Sequence, residues 1–364
     1  MTKLNFRFET LAIIFAALTF FSFSALGNSF NESRDALTTE VLISTDDVNI
    51  GGTLLVPKQL QSTALVVFIS GSSWQDRDNT IYGFPMFKII AEHLAKEGIA
   101  SFRYDDRGVG TSTYDFVNST MVDLTKDVHD ITRHFSTLEE KQFTDFILFG
   151  HSQGGIVATR VATENDKIKG LVLAGSPGVT IAELVLTQSR NEFANDANSV
   201  EELEKFVSSN NRLLHATATQ RSSENFEKQF KEHYTPILKN SLKDEPLSEQ
   251  EFEDRLSNDV KTYVTNYGLP ALTSFLYVNP TLDLSATKVP VLSLHGGLDN
   301  QVKLDPNKDR IEMALLTSNT SFQTIVFGNA DHFFKAAKDS QPVDGFLESI
   351  SSWVLNMKEH HGSY

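Results

Sequence analysis

Between residues 41 and 328 the chain carries eight short apolar runs: VLI (41–43), VNIGGTLLV (48–56), ALVVFIS (64–70), ASFRYD (100–105), FILF (146–149), LVLAGS (171–176), VLSLHG (291–296) and FQTIVFG (322–328). Several are continuous rather than alternating. A strand with one wet face alternates, whereas a continuous run fits a strand covered on both faces, as in a parallel sheet between helical layers. Between these runs the spacing becomes helical. Met86, Phe87, Ile90, Ala91 and Leu94 recur at helical intervals and stop at Gly98, and Val122, Leu124, Val128, Ile131 and Phe135 repeat the pattern over 122–138. Strands alternating with helices predict an α/β fold with a mostly parallel eight-stranded sheet and helices on both faces.

The alternation breaks between about 180 and 285, where no strand-like run occurs. Ser199 with Glu202, and Ser248 with Glu251, have capping-box spacing. Three apolar stripes accompany these signals: Leu203, Phe206, Val207, Leu213 and Leu214; Phe226, Phe230, Tyr234 and Leu238; Phe252, Leu256, Val260 and Val264. Because strands resume at Val291, the stretch reads as a helical cap inserted at 180–285, between core segments 28–179 and 286–364.

The N-terminus has a different pattern. Lys3 and Arg7 precede the apolar run LAIIFAALTFFSFSAL (11–26), and Ala25 and Gly27 are small residues before a cleavage point at Asn28. This predicts a signal peptide over 1–27 and an exported mature protein, periplasmic or secreted, with no stable membrane insertion. The alternative is an uncleaved anchor, for which the run is short of the roughly 20 residues a span requires.

Composition narrows the function classes. Of 364 residues 40% are apolar and 22% charged, an ordinary globular balance. The net charge of −15, with no basic patch, argues against a nucleic-acid partner. The absence of cysteine excludes disulfides, thiolate metal sites and cysteine nucleophiles. Nothing in the sequence fixes an oligomeric state.

The chemistry concentrates at Gly150-His151-Ser152-Gln153-Gly154, a G-x-S-x-G placed between a strand and a helix. That context is the one a nucleophile elbow requires. A serine hydroxyl needs a general base, and the base an orienting carboxylate, in the chain order serine, acid, histidine. Beyond Ser152, His215 and His233 fall in the predicted cap and His295 ends a strand, so His332, after the last strand, is the candidate base. Asp299, in the turn after VLSLHG, is the candidate acid; Asp305 next to Pro306 suits a helix start, and Asp331 a solvated turn. Backbone N–H groups of Gln153 and Ser72 are the candidate oxyanion donors. Trp74 is the candidate pocket residue. The charges of QDRD (75–78) and RYDDRGVGTS (103–112) read as an ion-pair network shaping loops.

At this point the residues resemble the serine α/β-hydrolases, in particular bacterial esterases and acyl hydrolases. The likeness rests on Gly71-Ser72-Ser73-Trp74-Gln75-Asp76-Arg77-Asp78, Asp105 to Ser112, Gly150 to Gly155 and Pro290 to Val302, within about residues 40–355. Similar sequences often have Gly-Pro where this chain has Ser73-Trp74. The resemblance implies an α/β-hydrolase fold and hydrolysis of a small or medium carboxylic ester by Ser152, His332 and Asp299, with no metal or organic cofactor. A thioesterase, a peptidase or a non-catalytic binding protein of the same fold are the alternatives.

Overall fold

The computed structural model describes residues 36–137, 143–194, 197, 199–220, 224–242, 246–267, 269–336 and 341–360. The segment 1–27, with its expected signal peptide, lies outside them. Among the described residues two compact units divide the chain: Thr180–Val278 is one, and the segments on either side of it form the other.

The flanking unit begins with strands β1 (Ala36–Ser44), β2 (Asn49–Pro57) and β3 (Ala64–Ile69), followed by a small hairpin, β4 (Thr80–Ile81) and β5 (Phe84–Pro85). It continues with α1 (Met86–Lys96), β6 (Ala100–Tyr104), α2 (Met121–Thr137), β7 (Asp145–His151), α3 (Gly154–Glu164) and β8 (Ile168–Ala174). The inserted unit holds α4 (Ile181–Phe193), α5 (Val200–Gln220), α6 (Glu224–Ser241), α7 (Glu249–Tyr267) and the single turn α8 (Pro270–Thr273). The flanking unit resumes with α9 (Pro280–Ala286), β9 (Val291–Gly296), α10 (Leu304–Ser318), β10 (Phe322–Phe327) and α11 (Phe346–His360).

Eight strands form one sheet in the order β1-β2-β6-β3-β7-β8-β9-β10. The β1–β2 and β2–β6 pairs are antiparallel and the others parallel. All eight apolar runs are strands of this sheet, and the α/β-hydrolase fold is the one observed. The central strands explain why continuous runs were informative: every residue of β3 is buried. Val66 and Phe68 join the cluster that includes Phe87, Ile90 and Leu94 of α1, while Leu65, Val67 and Ile69 face the other way and are buried as well. On the first face the rings of Phe68, Phe87 and Phe149 lie 5.0–5.8 Å apart; elsewhere in the sheet Phe102 of β6 meets Phe135 of α2 at 4.8 Å. Each such ring removed from water contributes about 1.5–3 kcal/mol before entropy is counted. Strand β1 is longer than its three-residue apolar run because it is an edge strand with largely exposed side chains, so its sequence carries no continuous apolar signal.

The helical unit has its own core. Leu213 and Ala216 of α5, Phe226, Phe230, Tyr234 and Leu238 of α6, and Leu256 and Tyr263 of α7 form one buried cluster. Both helix starts are capped: Glu202 N–H donates to Ser199 Oγ at 3.1 Å, and Ser248 and Glu251 cap one another reciprocally as a full capping box. Helix α4 was not read from the sequence, yet Thr180 caps it in the same spacing, accepting from Glu183 N–H at 3.1 Å. Among the described residues no helix is long and apolar enough to cross a membrane.

Candidate active site

Strand β7 ends at His151 and α3 begins at Gly154, so Ser152 and Gln153 make the whole turn between them. Ser152 has φ of +54°, a left-handed conformation that costs a non-glycine residue about 1 kcal/mol or more. Its N–H is fixed to Ala174 O at 2.9 Å. The flanking glycines are there for space. A Cβ on Gly150 would lie 2.6 Å from Gly154 O and Gly155 Cα, and one on Gly154 would lie 2.3 Å from Ser70 O. The turn therefore closes with this sequence and with few others. Gln153 stands at the N-terminus of α3, where helix amides and the helix dipole favour negative charge.

Asp299 and His332 come together from loops at the ends of β9 and β10. His332 Nδ1 lies 2.7 Å from Asp299 Oδ2, and both side chains are buried. Asp299 Oδ1 accepts two backbone N–H groups, from Gln301 and Val302, at 2.8 Å each. The carboxylate is thus oriented before it meets the imidazole. The two loops are stitched together by Gly297 N–H donating to Phe327 O at 2.8 Å and Leu298 N–H to Ala330 O at 2.9 Å. The pair also borders the segment that holds the serine: His332 Nδ1 lies 3.3 Å from where a Cβ on Gly175 would stand, one residue after Ala174. Asp331 is a turn cap, accepting from Phe333 and Lys335 N–H at 2.9 Å. His295 is buried in β9, 2.8 Å from Ser293 Oγ, and burial pulls its pKa down to about 4. Asp305 stands in extended conformation at the start of α10.

The loop after β3 approaches the serine from the other side. A Cβ on Gly71 would lie 3.1 Å from Ser152 Cβ, which puts Ser72, the next residue, beside the elbow. The loop is clamped by two adjacent aspartates that sequence reasoning left as loop-shaping charges. Asp106 accepts the Ser70 hydroxyl, at 2.7 and 2.9 Å to its two oxygens, and Gln75 N–H at 2.7 Å. Asp105 accepts Arg77 through its backbone N–H at 3.0 Å, Nε at 3.1 Å and Nη2 at 2.6 Å. Arg77 also pairs with Glu40, and Arg103 with Asp78. Asp106 is fully enclosed, and that burial pushes its pKa up to about 7 against the pull of Ser70 and Gln75. Gln75 Nε2 reaches Ser72 O at 3.3 Å, so the clamp extends to the candidate oxyanion residue itself. Ser73 has φ of +73°, a left-handed conformation that favours glycine and that a serine adopts here at some cost. Trp74 follows it, 38% exposed.

One residue of the elbow has an unforeseen role. His151 is buried, with Nε2 3.0 Å from His332 O and Nδ1 3.3 Å from Asn79 Nδ2. It belongs to the Gly150–Gly155 block that carries the resemblance, but it occupies a variable position of G-x-S-x-G, so the elbow motif alone assigns it no role.

Comparison with known proteins agrees with this architecture. Residues 85–332 match the family described as serine aminopeptidase, S33. Esterase EstD of Thermotoga maritima is 30% identical over 139 residues, so the alignment spans 38% of this chain and about a third, 32%, of that protein. An esterase from Pyrococcus furiosus has a TM-score of 0.55 at 16% identity, covering 92% of this chain and 95% of its own. Proline iminopeptidase from Mycobacterium smegmatis has a TM-score of 0.54 at 13% identity, covering 89% and 100%. The two solved structures are alike in fold. The family match spans more than half of the chain, from just before α1 to His332, and takes in the elbow and the Asp299 turn; the chain belongs to the serine aminopeptidase S33 family of α/β-hydrolases.

Proposed function

We propose that the protein hydrolyses small carboxylic esters through an acyl-enzyme on Ser152. The observation that carries this reading is the buried 2.7 Å bond between His332 Nδ1 and Asp299 Oδ2, two loops away from a left-handed serine at a strand–helix elbow. With Nδ1 committed to Asp299, the His332 Nε2 lone pair is the base. It takes the Ser152 hydroxyl proton as Oγ bonds to the ester carbonyl carbon. The resulting oxyanion is held by the N–H groups of Ser72 and Gln153, each contributing about 3 kcal/mol in sites of this kind. His332 then returns the proton to the alkoxide as the ester C–O bond breaks. Water repeats the sequence: it loses a proton to His332, attacks the acyl carbon, and Ser152 leaves with that proton. Trp74 lines the acyl side in this reading. The names of the Thermotoga and Pyrococcus relatives support an ester substrate.

The family's description, and the iminopeptidase among its structural neighbours, favour a second reading: an aminopeptidase using the same three residues. Turnover of p-nitrophenyl acetate to decanoate, set against aminoacyl p-nitroanilides, separates the two. The ester reading predicts turnover of esters and none of anilides, falling by on the order of 10⁴-fold or more in Ser152→Ala. Anilide turnover alone supports the aminopeptidase; ester turnover unchanged in Ser152→Ala sinks both. We also read the N-terminal pattern as an export signal, which predicts that the exported product begins at Asn28.

A further inference from the structure

His151 makes two contacts that together fix its protonation. A carbonyl oxygen only accepts, so Nε2, 3.0 Å from His332 O, carries a proton. The ring is enclosed, 2% exposed, and among the described residues its hydrogen-bond partners are His332 O and Asn79 Nδ2. Burial first, and the neighbouring His332 second, pull its pKa down to about 3, so the ring is neutral. Nδ1 is then a lone pair and must face a donor. Asn79 supplies one through Nδ2 at 3.3 Å. Asn79 is itself held: it is buried with φ of +49°, its N–H bonds to Asp76 O at 2.9 Å, and Asp76 Oδ1 caps the N–H groups of Asp78 and Thr80. The ring sits among His332 at 4.8 Å, Phe333 at 5.4 Å and Phe87 at 6.5 Å.

We propose that Asn79 and His151 are positioning residues: Asn79 holds His151 as the neutral Nε2–H tautomer, and His151 ties the backbone of the base, His332, to the residue before the nucleophile. The inference rests on the roles assigned above to Ser152 and His332. One hydrogen bond thereby spans the two loops whose spacing sets the distance from nucleophile to base. Neutrality matters as much as geometry. His332 becomes an imidazolium during each proton transfer, and a second charged imidazole 4.8 Å away would oppose it. The charged or titratable groups acting on His151 are His332, which disfavours its charge, and Asp299, which favours it. Asparagine at position 79, rather than aspartate, adds no further pull toward the cation.

The test compares full-length wild type with His151→Phe, His151→Gln, Asn79→Ala and Asn79→Asp. The readouts are the rate of Ser152 labelling by a fluorophosphonate, kcat and KM for p-nitrophenyl esters, and the pH profile of kcat/KM. His151→Phe keeps a ring and loses the donor; we expect labelling and kcat to fall by about 10²-fold with KM little changed, the scale set by a small misplacement of reacting groups. His151→Gln restores an N–H toward His332 O and recovers at least tenfold of that loss. Asn79→Ala gives a smaller loss of the same kind, and it reports even if His151→Phe does not fold. Asn79→Asp favours a charged His151 and moves the acidic limb of the profile, which a merely structural contact would leave in place. Labelling of His151→Phe and Asn79→Ala at the wild-type rate overturns this inference alone. Equal losses in His151→Phe and His151→Gln, with an unmoved profile in Asn79→Asp, overturn it too. Wild type that does not label at Ser152 overturns the parent reading, and this inference with it.

Discussion

Asp299 uses its two oxygens for different tasks, and that division yields a sharp expectation. Oδ1 takes two backbone amides and Oδ2 takes His332 Nδ1. In Asp299→Asn the oxygen of the amide keeps the two backbone bonds, and its NH₂ faces Nδ1. The histidine must then accept at Nδ1 and carry its proton on Nε2, where it cannot serve as a base. We expect kcat for p-nitrophenyl butyrate to fall by about 10⁴-fold with an unchanged circular dichroism spectrum. The Asp299–His332 pair was singled out from chain order because each follows a strand and sits among turn residues, and the structure joins them. The contacts of Asn79 and His151 are not legible in this way, although His151 stands in the Gly150–Gly155 block. Their hydrogen bond joins residues 72 apart in sequence, and the bond from His151 to His332 joins residues 181 apart. No local pattern encodes such a contact.

At the scale of elements, the loop after β3 depends on the loop after β6. Asp106 gathers Ser70 and Gln75, and Gln75 returns to Ser72 O. In Asp106→Asn one acceptor oxygen becomes a donor facing the Ser70 hydroxyl and Gln75 N–H, so the loop loses its register beside Ser152. Complete loss of one oxyanion donor costs roughly 10²–10³ in kcat. Misalignment rather than removal should cost about 10–100-fold, with KM changed less, as steady-state kinetics on p-nitrophenyl acetate will show. The charges of these loops were legible as a network, but their pairing was not: Ser70 and Asp106 stand 36 residues apart. Strand existence was legible because a parallel sheet covered on both faces imposes unbroken apolar runs. The hairpin β4–β5 was not, since two residues per strand carry no period. Helix α4 carries a T-x-x-E start at Thr180 and Glu183, and its cap bond forms.

At the scale of the molecule, His151, with its pKa near 3, and His295 and His233, near 4, the last in the helical unit, are buried and held neutral by desolvation. The unfolded chain protonates each near 6.5. Between pH 6.5 and the folded value the unfolded state binds more protons, so these groups withdraw stability as pH falls. Asp106 acts oppositely: its folded pKa of about 7 lies above the ordinary 3.8, so its contribution falls as pH rises from 4 to 7. Because the signs oppose, the clean comparison is one group at a time. In His295→Gln the acid-induced loss between pH 6.5 and 4 should shrink by at most about 3 kcal/mol, the bound set by a fall from 6.5 to about 4, read by urea unfolding at several pH values.

The most direct test of the account is the site of covalent capture. Purified protein is treated with a fluorophosphonate at neutral pH, digested, and the adduct located by mass spectrometry. The account predicts one adduct per chain, on Ser152, absent from Ser152→Ala and from acid-unfolded protein. A folded, unlabelled wild type, or an adduct on any other residue, would contradict it.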